Sequence, residues 1–272
     1  MARRSGPGGR LTTVVTRGDR LHTVRYPPLM PAHYDTIGVD YAALRRPDPR
    51  IADQIRAALG PARNVLNVGA GAGSYEPADR QVTAIEPSAE MIRQRPASAA
   101  PVVQGRAEEL PFADDSFDAS MAVLTIHHWQ DQARGLAEMR RVTRGPIVIL
   151  TYDPAFRGFW LADYIPELVA LDEAQMPPMG LYERCLGPVD ISPVPIPADC
   201  TDGFLCAYWR RPAAYLDPRI RAAMSSFWAL GDVSQQLRRL DQDLASGVWE
   251  QRYGDLLTLD DHDCGYRLVV TK

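Results

Sequence analysis

The sequence predicts a doubly wound α/β fold, and three observations predict it. Val65-Leu66-Asn67-Val68 is a short apolar run that enters a glycine-rich turn, Gly69-Ala70-Gly71-Ala72-Gly73. A second apolar run, at about 81–86, ends in an acid, Glu86. Further strand-like runs follow at about 101–104, 117–124 and 146–151, and the stretches at about 88–95 and 130–143 between them read as helices. Strands that alternate with helices imply a parallel sheet. Upstream, Ile51–Leu59 carries apolar residues at helical spacing, and Gly60-Pro61 stops that helix.

The turn and the acid together point to a nucleotide-type pocket. Glycines let a backbone approach a ligand closely, and a carboxylate at the end of the second strand accepts hydrogen bonds from ribose hydroxyls. The spacing departs from the dinucleotide pattern Gly-x-Gly-x-x-Gly, because Gly73 arrives one residue early. Tyr75-Glu76-Pro77 follows where a helix aimed at a pyrophosphate would open, and Glu76 there is expected to add negative charge near the ligand. A ligand with a nucleoside and an amino-acid arm but no phosphate fits better. S-adenosylmethionine is such a ligand.

Residues 65–150 resemble a class I S-adenosylmethionine-dependent methyltransferase of the small-molecule group that includes the ubiquinone and menaquinone C-methyltransferases. The resemblance rests on Val65–Gly73, on Ala84-Ile85-Glu86-Pro87-Ser88-Ala89-Glu90-Met91-Ile92, and on Ala107-Glu108-Glu109-Leu110-Pro111-Phe112 continuing to Asp118. It extends through Leu124-Thr125-Ile126-His127-His128-Trp129 to Glu138-Met139-Arg140-Arg141-Val142. It implies a mostly parallel, seven-stranded Rossmann-like sheet with helices on both faces and an inserted substrate cap. It also implies that Gly69, Gly71 and Gly73 pass under the methionine arm and that Glu86 takes the ribose hydroxyls. Pro87, Met91, Ala107, Glu108, Leu124 and Thr125 would complete the cofactor site. From the N-terminal lid helix, Tyr34 or Tyr41 would bond the methionine carboxylate and Arg46 would pair with it. Two positions depart from the family: Asn67 stands where an acid is usual, and Arg106 where an aspartate often meets the adenine. Arginine has no acceptor to offer.

Methyl transfer from a sulfonium needs orientation and dryness more than a conspicuous catalytic group. His127, with His128 beside it, is the candidate general base, because the carboxyl ends of such strands are where ligands bind. No Asn/Asp-Pro-Pro-Tyr/Phe follows that strand, which argues against the amino-methylating enzymes that carry it. From Asp153 to about Asp199 prolines crowd the chain among aromatics, which reads as a substrate cap. Phe156, Trp160, Tyr164 and Trp209 could present aromatic faces to an acceptor, with Glu167 or Glu173 removing a proton. Arg184, Arg210 and Arg211 could hold a diphosphate. Phe204–Trp209 reads as a strand, 218–228 and 233–248 as helices, and 265–270 as the final strand.

The expected organisation is a disordered or flexible extension over 1–31, a cofactor-binding core with its lid over 32–152, the cap over 153–200, and core-completing strands and helices over 201–272. A net charge of −4 argues against nucleic acid as a partner. No apolar run spans a membrane, and residues 1–10 lack the apolar segment of a signal peptide. The four cysteines form no Cys-x-x-Cys pair, which suits reduced thiols in a cytoplasmic protein without a metal site. The expected partner is a small-molecule acceptor, with a homodimer as the candidate assembly. The alternative is a non-catalytic, S-adenosylmethionine-binding subunit that keeps the fold.

Overall fold

The computed structural model describes residues 12–15, 21–24 and 45–272. Strands β1 (Thr12–Val15) and β2 (Leu21–Val24) pair antiparallel inside the stretch expected to be a flexible extension. Tyr34 and Tyr41 lie outside the described residues.

The main sheet has seven strands. In chain order they are β3 (Asn64–Val68), β4 (Gln81–Glu86), β5 (Val102–Gln104), β6 (Ala119–Val123), β7 (Ile147–Tyr152), β8 (Val189–Pro193) and β11 (Tyr266–Thr271), while β9 (Ile196–Pro197) and β10 (Asp261–His262) pair with each other apart from it. Their spatial order is β5-β4-β3-β6-β7-β11-β8. The first five are mutually parallel, and β11 runs antiparallel between β7 and β8. The order reverses at β3, so the carboxyl ends of β3, β4 and β6 open onto one crevice, the place where open α/β sheets bind ligands.

Alternation along the strands buries both faces. Val65, Met121, Val148, Leu150 and Leu268 point to one layer, packed with Ile51 and Ile55 of helix α1 (Pro49–Ala58). Leu66, Val68, Ile147, Ile149 and Val269 point to the other, against Leu136 and Met139 of a later helix, Gln132–Val142. A strand buried on both sides reads as a continuous apolar run, as these do. Asp48 caps α1 by accepting from the Arg50 amide, with Pro49 at the first helical position. Ser88 caps the short helix α2 (Ala89–Arg93) by accepting from the Met91 amide.

Three segments differ from the sequence expectation. Val189–Pro193 lies within the predicted cap yet forms the edge strand β8, paired with β11 from Thr271↔Val189 to Arg267↔Pro193. Its Asp190, Ser192 and Pro193 face solvent, as edge strands tolerate, and so mimic a loop. Phe204–Trp209 is not a strand; Leu205–Tyr208 form a 3-10 turn whose apolar residues sink into the core. The stretch 218–228 breaks into Pro218–Arg221 and Ser225–Ala229, because Ala223 and Met224 are driven into the core between them.

Glu76 corrects a different expectation. Its carboxylate turns away from the crevice and pairs with Arg95 at 2.7 Å, both side chains being nearly buried. Glu76 Oε2 also accepts from the Ala100 amide, while Arg95 donates to the Gly71 and Ala100 carbonyls. The pair therefore braces the glycine turn from behind and adds no net charge to a ligand. Removing one member of a buried pair strands the other without its partner. Glu76→Gln is expected to lower unfolding free energy by about 3–5 kcal/mol in denaturant titration. Glu76→Gln with Arg95→Met should recover part of that loss, whereas two additive losses would show that the brace is not one unit.

Candidate active site

The site begins at the glycine turn. Gly69 and Gly71 adopt left-handed backbone angles, φ +68° and +53°. A Cβ on Gly69 would overlap the Thr125 side chain, while a Cβ on Gly71 would enter open space. The first glycine thus serves strand packing and the second leaves room for a ligand. Glu86 ties the turn to the second strand. Its Oε2 accepts from the Gly71 amide at 2.8 Å and its Oε1 from the Ser88 amide at 2.8 Å. The Gly71 N–H that could have cradled a phosphate is therefore spent on a carboxylate, and the Gly73 amide bonds Ala70 O at 2.9 Å. This geometry disfavours a pyrophosphate for a reason unrelated to the charge of Glu76.

A cavity of about 460 Å³ opens along this edge. Asn67, Gly69, Gly71, Glu86, Pro87, Met91, Ala107, Glu108, Leu124, Thr125, His127 and His128 line it. Asn67 donates to Glu76 Oε1 at 3.2 Å, so its amide links the cavity to the brace. Met91 is buried under α2 and half-buried Arg106 also lines the wall. Glu108 Oε1 accepts from the Gln130 and Asp131 amides, which fixes the loop after Trp129. Leu124 stands at φ +51°, a strained angle for a branched residue and a feature that clusters at functional sites.

Other expected contacts fall elsewhere. Gly73 packs toward Ala99 and the Arg95–Glu76 brace instead of the cavity. Arg46 is exposed and does not line the cavity; its neighbour Arg45 does. Arg45 Nε donates to Asp202 Oδ1 at 2.5 Å, and Tyr75, itself at φ +63°, donates through its hydroxyl to Asp202 Oδ2 at 2.8 Å. Asp202 is 1% exposed, so this triad aims a guanidinium into the cavity from a buried anchor. Nothing in the spacing around Asp202 signals it, since the contact joins residues 157 positions apart.

The expected cap chemistry does not converge. Glu167 is exposed and accepts from Gln236, and Glu173 is exposed and pairs with Arg157. Trp160 donates to the Trp209 carbonyl, Trp209 to the Ile196 carbonyl, and Tyr164 to Asp243. The Trp160 ring meets Tyr164, Tyr215 and Trp249 edge-on and the Trp209 ring packs on His262, so these aromatics are interior packing and not cavity wall. Phe156 lies over Gly265 with the Arg267 guanidinium 5.6 Å from its ring centre. Arg210 and Arg211 donate to backbone carbonyls, and Arg184 is exposed. Among the described residues no cluster could hold a metal ion.

The donor set suits S-adenosylmethionine. It offers an anchored carboxylate for a diol, room beside Gly71, an apolar floor at Met91 and Pro87, and a cation at Arg45 for a carboxylate. Trp129, Gln130 and Gln175 complete the wall. Of these, Trp129 stood inside a quoted motif, while Gln175 comes from a helix whose sequence carries no such mark.

Comparison with known proteins agrees. Residues 66–146 match the family described as a methyltransferase domain. A 67-residue stretch is 34% identical to 2-methyl-6-phytyl-1,4-hydroquinone methyltransferase 2 of Oryza sativa, covering 25% of this chain and 19% of that protein. Another, of 110 residues, is 36% identical to the demethylmenaquinone methyltransferase of Renibacterium salmoninarum, covering 36% and 46%. The matches thus span less than half the length of these curated relatives. A solved structure of a putative methyltransferase from an antibiotic biosynthesis pathway of Anabaena variabilis is 34% identical, with a TM-score of 0.76. That alignment covers 84% of this chain and 99% of the relative. With the seven-stranded order and the anchored Glu86, it shows that the chain belongs to the class I S-adenosylmethionine-dependent methyltransferases.

Proposed function

We propose that this chain transfers a methyl group to a small, partly apolar metabolite of the kind handled in specialised metabolism. The observation that carries the proposal is Glu86, held by the Gly71 and Ser88 amides at the edge of the cavity. When bound, the cofactor supplies an activated methyl group on a sulfonium. The protein's own work is then to hold, orient and dry, which supplies about 7–11 kcal/mol of a barrier when the geometry is right.

In this reading Glu86 accepts from the ribose hydroxyls, Met91 and Pro87 pack on the adenine, and Arg45, in place of Arg46, pairs with the methionine carboxylate. Residues 45–152 form the cofactor half. The acceptor half comes from the segments on either side of β8, residues 153–188 and 194–264. The relatives named for hydroquinone and demethylmenaquinone methylation support a small-molecule acceptor.

His127 enters this scheme as a neutral wall. Burial, reinforced by the nearby Arg45 charge, pushes its pKa from 6.5 down to about 4. The imidazole is uncharged at neutral pH, but so weak a base takes a proton poorly, since the best general base has a pKa near the working pH. Its role is to line a dry cavity beside His128, 3.8 Å away ring to ring.

Isothermal calorimetry with S-adenosylhomocysteine should show micromolar binding, and absence of binding would sink the proposal. Glu86→Gln should weaken binding roughly 10–150-fold, the worth of a charge-assisted hydrogen bond. An unchanged Kd would remove Glu86 from the site. For His127 the sign is fixed by its lowered pKa. The unfolded chain binds a proton that the folded chain refuses between pH 6.5 and about 4, so stability falls as pH falls through that window. His127→Asn should flatten that fall in denaturant midpoints measured across it, and a parallel fall in both proteins would contradict the assignment.

A further inference from the structure

A row of polar contacts ties residues 199–202, which do not line the cavity, to the start of the described core and to the end of the glycine turn. Arg50 Nη1 donates to Asp199 Oδ1 at 2.7 Å, and the Thr201 amide donates to Asp48 Oδ2 at 3.1 Å. Asp202 reaches furthest toward the site. It accepts from Arg45 Nε at 2.5 Å and from Arg45 Nη2 at 3.3 Å, along one edge of the guanidinium, and from the Tyr75 hydroxyl at 2.8 Å. The Phe204 ring centre lies 5.9 Å from the same guanidinium carbon. Arg45 and Tyr75 both line the cavity, whereas Asp202 is 1% exposed and stands behind them.

A buried ion pair stabilises little in net terms, so stability alone does not account for this one. What a two-point contact with a planar guanidinium supplies is direction. A loose arginine side chain carries about 2 kcal/mol of rotamer entropy, and an edge held by Asp202 has lost it before any ligand arrives. Tyr75 adds a second constraint, since its backbone stands at φ +63°, a strained angle for a residue with a side chain. Burial and the Asp202 charge push its hydroxyl well above the usual phenol range, so it remains a donor. The Arg45 charge is felt inside the site, where it reinforces the burial that keeps His127 neutral. One carboxylate thus fixes both a cavity cation and the chain that leaves the glycine turn.

We propose that Asp202 and Tyr75 are positioning residues for the amino-acid arm of the cofactor. They hold Arg45 in the orientation that receives the methionine carboxylate, so the acceptor half of the chain sets cofactor affinity without touching the cofactor. The proposal rests on the methyl-transfer reading above, in which Arg45 pairs with that carboxylate. It carries a reciprocal consequence. If the docking of Asp202 favours the ligand carboxylate at Arg45, the carboxylate favours that docking by the same factor. Cofactor binding then firms the segment around Asp202.

The test compares two probes on the full chain by calorimetry. One is S-adenosylhomocysteine; the other is its decarboxylated analogue, which keeps the adenosine, the sulfur and the amine. Tyr75→Phe, Asp202→Glu and Arg45→Lys all conserve net charge, so a change in affinity reports orientation and not the strength of the field. Tyr75→Phe and Asp202→Glu should each weaken S-adenosylhomocysteine roughly 2–10-fold, the worth of one hydrogen bond, and Arg45→Lys at least as much. The Kd of the analogue should stay at its wild-type value in all three. Tyr75→Phe leaves the Arg45–Asp202 pair in place and keeps the test open should Asp202→Glu fail to fold. Tyr75→Phe combined with Arg45→Lys should bind S-adenosylhomocysteine no worse than Arg45→Lys alone, because Tyr75 acts through Arg45.

Hydrogen exchange supplies a readout on the unmutated protein. Amides of residues 200–204 should exchange more slowly with saturating S-adenosylhomocysteine than with the saturating analogue. The proposal is overturned by equal losses for the two probes, by no loss for either, by additive losses in the double variant, or by exchange at 200–204 that does not distinguish the probes. In all those cases binding of S-adenosylhomocysteine by the wild type leaves the methyltransferase reading standing. Failure of the wild type to bind it overturns both.

Discussion

The Glu86 carboxylate is the constraint on which the rest of the site depends. It closes two hydrogen bonds, one to the apex of the glycine turn and one to the residue that caps α2. Those bonds join the end of β3, the end of β4 and the start of the following helix at one point. The carboxylate also shapes the ligand the crevice accepts. By consuming the Gly71 amide it removes a phosphate donor, and by standing at the cavity edge it offers acceptors to a diol. In the proposed reading one side chain thus both builds the turn and receives the nucleoside.

Around that point the protein pairs its buried charge. Glu76 with Arg95 holds the turn from behind, and Asp202 with Arg45 and Tyr75 joins the start of the described core to a segment far along the chain. Such pairs stabilise little in net terms, but they fix geometry because either member alone is costly.

Much of the cofactor side was legible in the sequence because its physics is local. A run of β-branched and apolar residues, a left-handed turn and an acid at the next strand end all lie within about 65–92. The same local logic placed Leu124 and Thr125 at the end of β6. What the sequence hid was non-local or disguised. Arg45 is chosen over Arg46 by Asp202, more than a hundred residues away. The edge strand β8 looked like loop because Asp190 through Pro193 are exposed on both sides of it. The aromatic-rich stretch looked like a binding cap because periodicity cannot distinguish a ring that lines a cavity from one that fills a core. Trp160 and Trp209 fill the core, each with its indole N–H satisfied by a backbone carbonyl.

The central claim, that an amide-anchored Glu86 receives the ribose of the cofactor, is tested most directly by a crystal structure of the chain soaked with S-adenosylhomocysteine. The ribose hydroxyls should lie within hydrogen-bond distance of the Glu86 carboxylate, with the methionine arm over Gly71 and its carboxylate toward Arg45. Density for the ligand elsewhere, or in this cavity with the ribose away from Glu86, would contradict it.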